Sequence, residues 1–380
     1  MTMIVKPDSE QLGVAVIGGG FMAGVHSRAA RSARASLVGI ASSTPARARE
    51  AALALGAGGS YDSVDDVFAD PRVDVVHICT PNSTHHRFAK QALLAGKHVV
   101  CEKPLAANSA DAAELVSLAD EFGRVAVVPF VYRFHPMVRE ARARVRSGRA
   151  GAILTIQGAY LQDWLLSSDD DDWRVDADVG GPSRAFADIG SHLCDMIEFV
   201  TDDRIQRLAA VNRTVFGRRG TTPVTNEDIV CVVFQTLIGT IGTLTISQVA
   251  PGRKNRLTIE LGASIESLSF DQETPETLWI GRREESLVLT REASTLDASA
   301  SRYSLLPAGH PQGFQDAFDA LVADAYQAVA GPAPDGLPVF ADGHRSTLLS
   351  EAVLKSSRSG EWVDIDPEFS RNLIPADLHS

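Results

Sequence analysis

A chain of 380 residues has room for about two or three domains at roughly 150 residues each. Hydrophobic residues make up 44 % and charged residues 22 %, the balance of a globular protein that buries real cores. A net charge of −12 argues against nucleic acid or an anionic membrane surface as partner, because both demand concentrated positive charge. The arginines from Arg139 to Arg149 run through one amphipathic stretch beside Glu140, so they are expected on the solvated face of a helix. The first ten residues lack the apolar core of a signal peptide, and no apolar run approaches the ~18 residues a membrane span needs. Cys79, Cys101, Cys194 and Cys231 lie far apart without CxxC spacing, so free thiols in a reducing, cytoplasmic setting are expected.

From Leu12 to Val128 strands and helices alternate. Gly13–Ile17, Ser36–Ala41, Val73–Cys79, His98–Cys101 and Val125–Val128 are apolar runs of strand length. Between them fall helical stretches: one through Arg34, then Ala46–Leu55, His85–Ala95 with Gly96 as its C-terminal cap, and Ser109–Phe122. Apolar strands separated by helices make a parallel sheet covered on both faces, the doubly wound architecture. The texture changes near Phe130. A basic helix runs to Ser147, followed by strand-like text at Ile153–Tyr160, Ile205–Thr214, Asp228–Gln235, Thr240–Val249, Arg256–Leu261, Ile265–Phe270, Thr277–Ile280 and Ser286–Leu289. Helical text returns at Gln312–Val329 and Arg345–Ser357. The expected fold is therefore α/β, with a Rossmann domain over residues 1–129. Residues 130–380 are expected to form an α+β domain with a large, mostly antiparallel open sheet. In Thr240–Ser247 polar and apolar residues alternate, leaving a second sheet face that predicts a homodimer or homotetramer.

The first strand leads into Gly18-Gly19-Gly20-Phe21-Met22-Ala23, a GxGxxA turn opening a helix. Gly18 permits the tight turn, Gly20 lets backbone N–H groups approach a pyrophosphate, and Phe21 and Met22 begin the helix whose N-terminus meets the phosphates. At the end of the second strand an NAD site usually places an acidic residue on the ribose 2′-hydroxyl. Here the text is Ser42-Ser43-Thr44-Pro45-Ala46-Arg47, with no carboxylate before Glu50. Ser42, Ser43 and Arg47 suit a 2′-phosphate, so NADP is preferred over NAD, the alternative being a polar loop that caps the next helix. Thr80-Pro81-Asn82-Ser83-Thr84-His85 and Glu102-Lys103-Pro104 follow two later strands, at the edge of the sheet where such folds bind ligands. Adjacent helical residues point in different directions and no third ligand is near, so His85 and His86 make no metal site. His85 is read as near the cofactor and His86 as surface.

These motifs, with a later Asp188-Ile189-Gly190-Ser191-His192, make the chain similar to the glucose-fructose oxidoreductase, inositol dehydrogenase and rhizopine-catabolism family. The resemblance runs in order along essentially the whole chain. Around Tyr160-Leu161-Gln162-Asp163-Trp164 and Trp173-Arg174 it also resembles the levoglucosan and glucoside 3-dehydrogenases. The resemblance implies a Rossmann domain, oligomerisation through the open sheet, no metal, and a position near the nicotinamide for Arg174.

The residues agree with that reading. Asp188 and His192 are four apart, so on a helix they share one face, and a carboxylate orients an imidazole and raises its basicity. His192 is assigned the alcohol proton, Asp188 holds it, and Lys103 bonds the same oxygen and lowers its pKa. The reverse assignment, Lys103 as base, fits the sequence equally well. A sugar asks for amides, charged groups and an aromatic platform, and Tyr132, Arg133, Gln162, Asp163, Trp164, Asn255 and His310 supply these types. The expected function is hydride transfer between NADP or NAD and a hydroxyl or keto group of a sugar, glycoside or cyclic polyol. The alternatives are a redox-neutral glycosidase or lyase that uses bound NAD transiently, and a dinucleotide sensor without turnover.

Overall fold

A computed structural model describes residues 11–365, so the first ten residues, read above for a leader, lie outside the described residues. The chain divides into two compact units. Of the described residues, the first takes 11–106, 110–131 and 314–344, and the second takes 107–109, 132–313 and 345–365.

The first unit is a five-stranded parallel sheet in the order β2-β1-β3-β4-β5. Its strands are β1 Gly13–Ile17, β2 Ser36–Ala41, β3 Val75–Ile78, β4 His98–Cys101 and β5 Ala126–Val127. Every residue of β1 and β3 is buried, as strands with helices on both faces require. The strand order reverses at β1 and β3, which makes the ends of these two strands the place where such a sheet takes a ligand. Helices Phe21–Ser32, Pro45–Leu55, His85–Leu94 and Ser109–Glu121 connect the strands, close to the expected bounds.

The boundary differs from the one expected at residue 129. Residues 314–344 return to the first unit. Helix Phe314–Ala330 packs along helix Phe21–Ser32, Phe340 joins the parallel-sheet core, and Tyr326 reaches His77 on β3 at 2.8 Å. An amphipathic helix records in its own sequence that it covers a core, but not which one.

The second unit holds a nine-stranded sheet in the order β15-β14-β13-β12-β6-β11-β10-β7-β16. Its strands are β6 Ile153–Leu161, β7 Ile205–Arg213, β10 Ile229–Thr236, β11 Ile241–Ser247, β12 Arg256–Ala263, β13 Ser267–Asp271, β14 Thr277–Gly281, β15 Ser286–Thr290 and β16 Val363–Asp364. A two-stranded hairpin, β8 Arg218–Arg219 and β9 Thr222–Pro223, stands apart. All neighbours in the large sheet are antiparallel except β6 and β11. Along β11 exposed and buried residues alternate from Ile241 to Ile246, the pattern of a strand with one covered face.

One reading is corrected in helix Pro136–Arg146. Arg146 and Arg149 are exposed as expected, but Arg139, Arg142 and Arg144 are not a solvated face. Arg139 and Glu140 are buried: Arg139 lies over the rings of Phe199 and Tyr303 and donates to the Arg133 carbonyl. Arg144 bridges the buried carboxylates of Glu140 and Glu266, both at 3.0 Å. Buried carboxylates and aromatic faces elsewhere in the unit recruit the guanidiniums inward, and helical periodicity carries no sign of such partners. Among the described residues no helix is long and apolar enough to cross a membrane.

Candidate active site

In the first unit the glycine turn behaves as a phosphate cradle. Gly18 adopts φ +124°, and a Cβ there would stand 2.5 Å from the Cys79 carbonyl oxygen, so only glycine fits. At Gly20 a Cβ would meet nothing within 4 Å, so what glycine preserves there is open space in front of the helix. Helix Phe21–Ser32 begins at Gly20 with no side-chain cap and no acidic residue in its first turn. Helix Val64–Ala69 in the same unit has a full Ser63–Asp66 capping box, and Pro45–Leu55 is capped by Thr44. Uncapped N–H groups carrying the positive end of the helix dipole are what a pyrophosphate needs, and these residues fit one.

Ser42 lies beside this turn, its Oγ 3.4 Å from where a Gly19 Cβ would be. Arg47 is exposed and donates to Ser43 Oγ at 3.2 Å. Thr44 alone follows the capping alternative. The loop after β3 is tied internally, with Thr80 and Thr84 hydroxyls 2.6 Å apart and Thr84 Oγ1 donating to the Pro81 carbonyl. Pro81 is exposed and Asn82, half-buried, opens a short 3-10 turn. His85 joins two loops: its Nδ1 lies 2.7 Å from the Pro104 carbonyl and its Nε2 2.8 Å from the Thr80 carbonyl. Burial pulls its pKa below the ordinary imidazole value, against the two carbonyls, which favour the doubly protonated ring. Both nitrogens are spent on main chain, so His85 braces the loops. His86 sits at the surface against Glu114 at 2.6 Å. Lys103 is half-buried, precedes a cis peptide bond to Pro104, and follows the buried Glu102.

In the second unit a compact polar cluster forms. Tyr132 and Tyr160 hydroxyls are 2.5 Å apart, Tyr160 donates to Asn255 Oδ1 at 2.8 Å, and Asn255 Nδ2 donates back to Tyr132 Oη at 3.2 Å. Gln162 Nε2 donates to the same Asn255 oxygen at 2.8 Å, and Trp164 Nε1 donates to Gln162 Oε1 at 2.8 Å. Burial pushes both phenols above their ordinary pKa, so they serve as hydrogen-bond donors and not as charges. The His192 ring stands edge-on to Tyr132, with centroids 5.2 Å apart. Asp188 lies in a π-helical turn, Phe186–Gly190, that runs into helix Ser191–Thr201 carrying His192 at its second position. Such turns are uncommon and gather at functional sites. Asp188 accepts from Gln248 Nε2 at 2.8 Å and faces Arg174 Nε at 3.6 Å.

Three residues read from sequence as sugar-binding lie differently. Arg133 is buried and forks onto Asp195, with Nε donating at 2.8 Å. Asp163 is committed to Lys254 at 2.7 Å and to the Gly252 N–H, and these contacts hold its pKa below the ordinary carboxylate value. His310 is exposed, and its carbonyl accepts from Arg291.

The supports of the cluster escaped the sequence reading. Asn226 Nδ2 donates to the Arg174 carbonyl at 2.9 Å. Glu227 accepts from Ser183 Oγ and from the Arg184 and Phe186 N–H groups, fixing the start of the π turn. Asp228 receives Arg184 and Arg219 together. The available signal was three consecutive polar residues at the mouth of an otherwise apolar strand. Tyr160 could have been found from its same-face spacing with Gln162.

A phosphate-cradling parallel sheet, with a second unit that brings an imidazole, a carboxylate and sugar-compatible donors together, defines a dinucleotide-dependent oxidoreductase. Residues 12–130 match the model of an oxidoreductase family with an NAD-binding Rossmann fold, and residues 138–263 match the GFO/IDH/MocA C-terminal domain. The chain belongs to the GFO/IDH/MocA oxidoreductase family. It is 29 % identical to levoglucosan dehydrogenase of Pseudarthrobacter phenanthrenivorans, across 95 % of this chain and 100 % of the relative. A solved levoglucosan dehydrogenase in complex with NADH and levoglucosan superposes with a TM-score of 0.89 at 28 % identity, covering 94 % of this chain and 100 % of the other. An inositol dehydrogenase homologue from Azotobacter vinelandii in complex with NAD+ gives 0.85 at 26 % identity, covering 94 % and 98 %.

Proposed function

We propose that the chain is an NAD(P)-dependent dehydrogenase or reductase acting on a hydroxyl or keto group of a sugar, glycoside or cyclic polyol. The observation that carries this reading is the second-unit cluster, where Gln162, Trp164, Asn255 and Tyr132 form one bonded array beside Asp188 and His192. Amide and phenol dipoles next to an indole suit a ligand that is polar at its hydroxyls and apolar across its ring faces. A solved relative with bound levoglucosan supports the substrate class.

The bound nicotinamide, when present, supplies the hydride acceptor. The protein's share is proton handling. His192 takes the hydroxyl proton as the C–H pair departs, leaving a carbonyl product. Asp188, held by Gln248 and Arg174, keeps that imidazole oriented and basic, and the Lys103 ammonium stabilises negative charge on the reacting oxygen. The glycine turn, Thr80, Pro81, Asn82 and Glu102 line the dinucleotide, with His85 bracing them. Four free cysteines fit a reducing compartment, and a cytoplasmic location goes with that reading. Association into a homodimer or homotetramer through the outer face of the large sheet belongs to the same proposal.

Reduced-nicotinamide absorbance, with NAD+ and NADP+ across inositols, hexoses, anhydrosugars and glycosides, tests it. Net reduced cofactor is expected with at least one sugar. Substrate cleavage without net reduction would identify the redox-neutral chemistry, and no turnover anywhere would leave a sensor. Lys103→Met and His192→Ala should each lower kcat by about a hundredfold or more with dinucleotide Kd nearly unchanged. Near-full activity in His192→Ala would remove the imidazole as base.

A further inference from the structure

The first unit contains a second polar array, buried in its core, in which the reaction as described gives a task to Glu102 alone. Tyr326 Oη lies 2.8 Å from His77 Nε2, His77 Nδ1 lies 2.8 Å from His26 Nδ1, and His26 Nε2 lies 3.0 Å from Glu102 Oε1. Glu102 Oε2 in turn accepts the Lys103 main-chain N–H at 3.2 Å. His26 and His77 are fully buried, and Phe318 covers the His26 ring with centroids 4.7 Å apart. The array draws on helix Phe21–Ser32, strand β3, the turn after β4 and helix Phe314–Ala330.

We propose that Tyr326, His77 and His26 are positioning residues for Lys103, a one-way hydrogen-bond chain that holds the Glu102 carboxylate and with it the turn carrying the lysine. This rests on the assignment of Lys103 to the reaction.

The sense of the chain follows from counting protons. An anionic Glu102 only accepts, so His26 must carry its proton on Nε2. A second proton on His26 would reverse the links to His77 and Tyr326, an outcome that histidine labelling separates. With a single proton on the ring, His26 offers a lone pair at Nδ1, which requires His77 to donate from Nδ1. His77 Nε2 is left as an acceptor, and the Tyr326 hydroxyl fills it. Each link is satisfied in this sense with both imidazoles neutral. In the opposite sense His26 Nε2 would present a lone pair to a carboxylate oxygen. Burial pushes His77 well below the ordinary imidazole pKa and the Tyr326 phenol well above its own, so a neutral His77 ring and a proton-bearing hydroxyl are the stable pair. One phenolic proton therefore sets the orientation of three groups and ends at the residue before the lysine. A hydrophobic core of this size has no need of four buried polar side chains, and buried networks fix geometry where every member is satisfied.

The chain is tested first without turnover, by 15N spectra of histidine-labelled protein, with His26→Gln and His77→Gln supplying assignments. His77 should carry its proton on Nδ1 and His26 on Nε2, and Tyr326→Phe should abolish this pattern. A proton on His77 Nε2 in the wild type would overturn the proposal. Kinetics follow. Tyr326→Phe should lower kcat about tenfold to a hundredfold while KM for the sugar stays within about twofold, because the lysine is misplaced but substrate contacts remain. Glu102→Gln should lower kcat likewise, and the double variant should fall little further, as members of one chain are not additive. Ser27→Ala, a buried change on the same helix outside the chain, should leave both constants unchanged. Wild-type kcat in Tyr326→Phe overturns the chain and leaves the lysine's role standing, whereas full turnover in Lys103→Met removes that role and the proposal with it.

Discussion

Ser42, Ser43 and Arg47 bear on cofactor choice through charge alone. A 2′-phosphate carries close to two negative charges, and a carboxylate at the end of β2 would repel it at short range. No carboxylate precedes Glu50 there, while Ser42 lies beside the glycine turn and Arg47 is exposed against Ser43. Ser42→Asp should therefore shift preference toward NAD, by added repulsion. Arg47→Ala should weaken NADP more than NAD, by removing a guanidinium that can grip phosphate with two N–H groups. Dissociation constants for both cofactors in both variants check this. Equal loss of the two cofactors in Arg47→Ala would place that arginine away from the phosphate, and a wild type that prefers NAD would leave the serines as donors to a plain ribose.

At the scale of elements, the segment that carries Asp188 and His192 depends on a strand mouth. Asn226, Glu227 and Asp228 precede β10 and reach back to the loop of Arg174, the π turn of Asp188 and the hairpin arginine Arg219. Burial raises the Asp228 carboxyl, but the Arg184 and Arg219 guanidiniums outweigh it and hold the pKa below the ordinary value. A carboxyl depressed in the folded state stabilises above its unfolded pKa, and the contribution is lost as pH falls through the folded value. Asp228→Asn leaves two buried guanidiniums facing an amide. It should cost about 3–5 kcal/mol at neutral pH, and the gap from wild type should narrow below about pH 4. Denaturant midpoints at pH 7 and in mild acid measure both. This support was illegible in the sequence for a physical reason. Strand positions and the glycine turn follow from local periodicity and backbone sterics, so β1 to β5 and the Gly18–Gly20 turn could be read. Which arginine meets which carboxylate depends on how distant segments fold together. Arg133 and Arg139 read as sugar-facing or solvated when their partners, Asp195 and Phe199, lie on a helix the sequence reading never delimited. The spacing of Asp188 and His192 was legible, but the π turn that carries Asp188, and its bonds to Gln248 and Arg174, were not.

At the largest scale, the large sheet of the second unit leaves a face uncovered among the described residues. Outward residues of the large sheet include Val211, Cys231, Val233, Ile241, Trp279 and Val288, with Ile241 57 % and Val288 64 % exposed. They fall in two groups: Val211, Cys231, Val233 and Ile241 on β7, β10 and β11, with Cys231 opposite Val211, and Trp279 opposite Val288 on the edge pair β14 and β15. Between the two groups the outward row is polar, Ser269, Glu260, Gln157 and Thr243, and exposed apolar residues rimmed by polar ones in this way mark a protein contact. Light scattering at micromolar concentration should give a dimer or tetramer, and Ile241→Glu with Val233→Glu should shift it toward monomer without loss of secondary structure. A monomeric wild type would contradict this.

The late return of residues 314–344 to the parallel sheet also sets a timetable for biosynthesis. The nucleotide-binding half leaves the ribosome first, yet the helix bearing Tyr326 emerges only after nearly all of the other half. Until then His77 lacks its phenol and helix Phe21–Ser32 lacks its cover. The nascent amino-terminal half must wait, half-clothed, for its last helix, and the following unit waits longer still, for Arg345 to reach Glu198 and for β16 to pair with β7. A fragment ending at residue 131 should therefore lack a cooperative unfolding transition. Splicing residues 314–344 onto it through a flexible linker should restore one, and a sharp transition in the short fragment would show that the tardy helix is dispensable to folding.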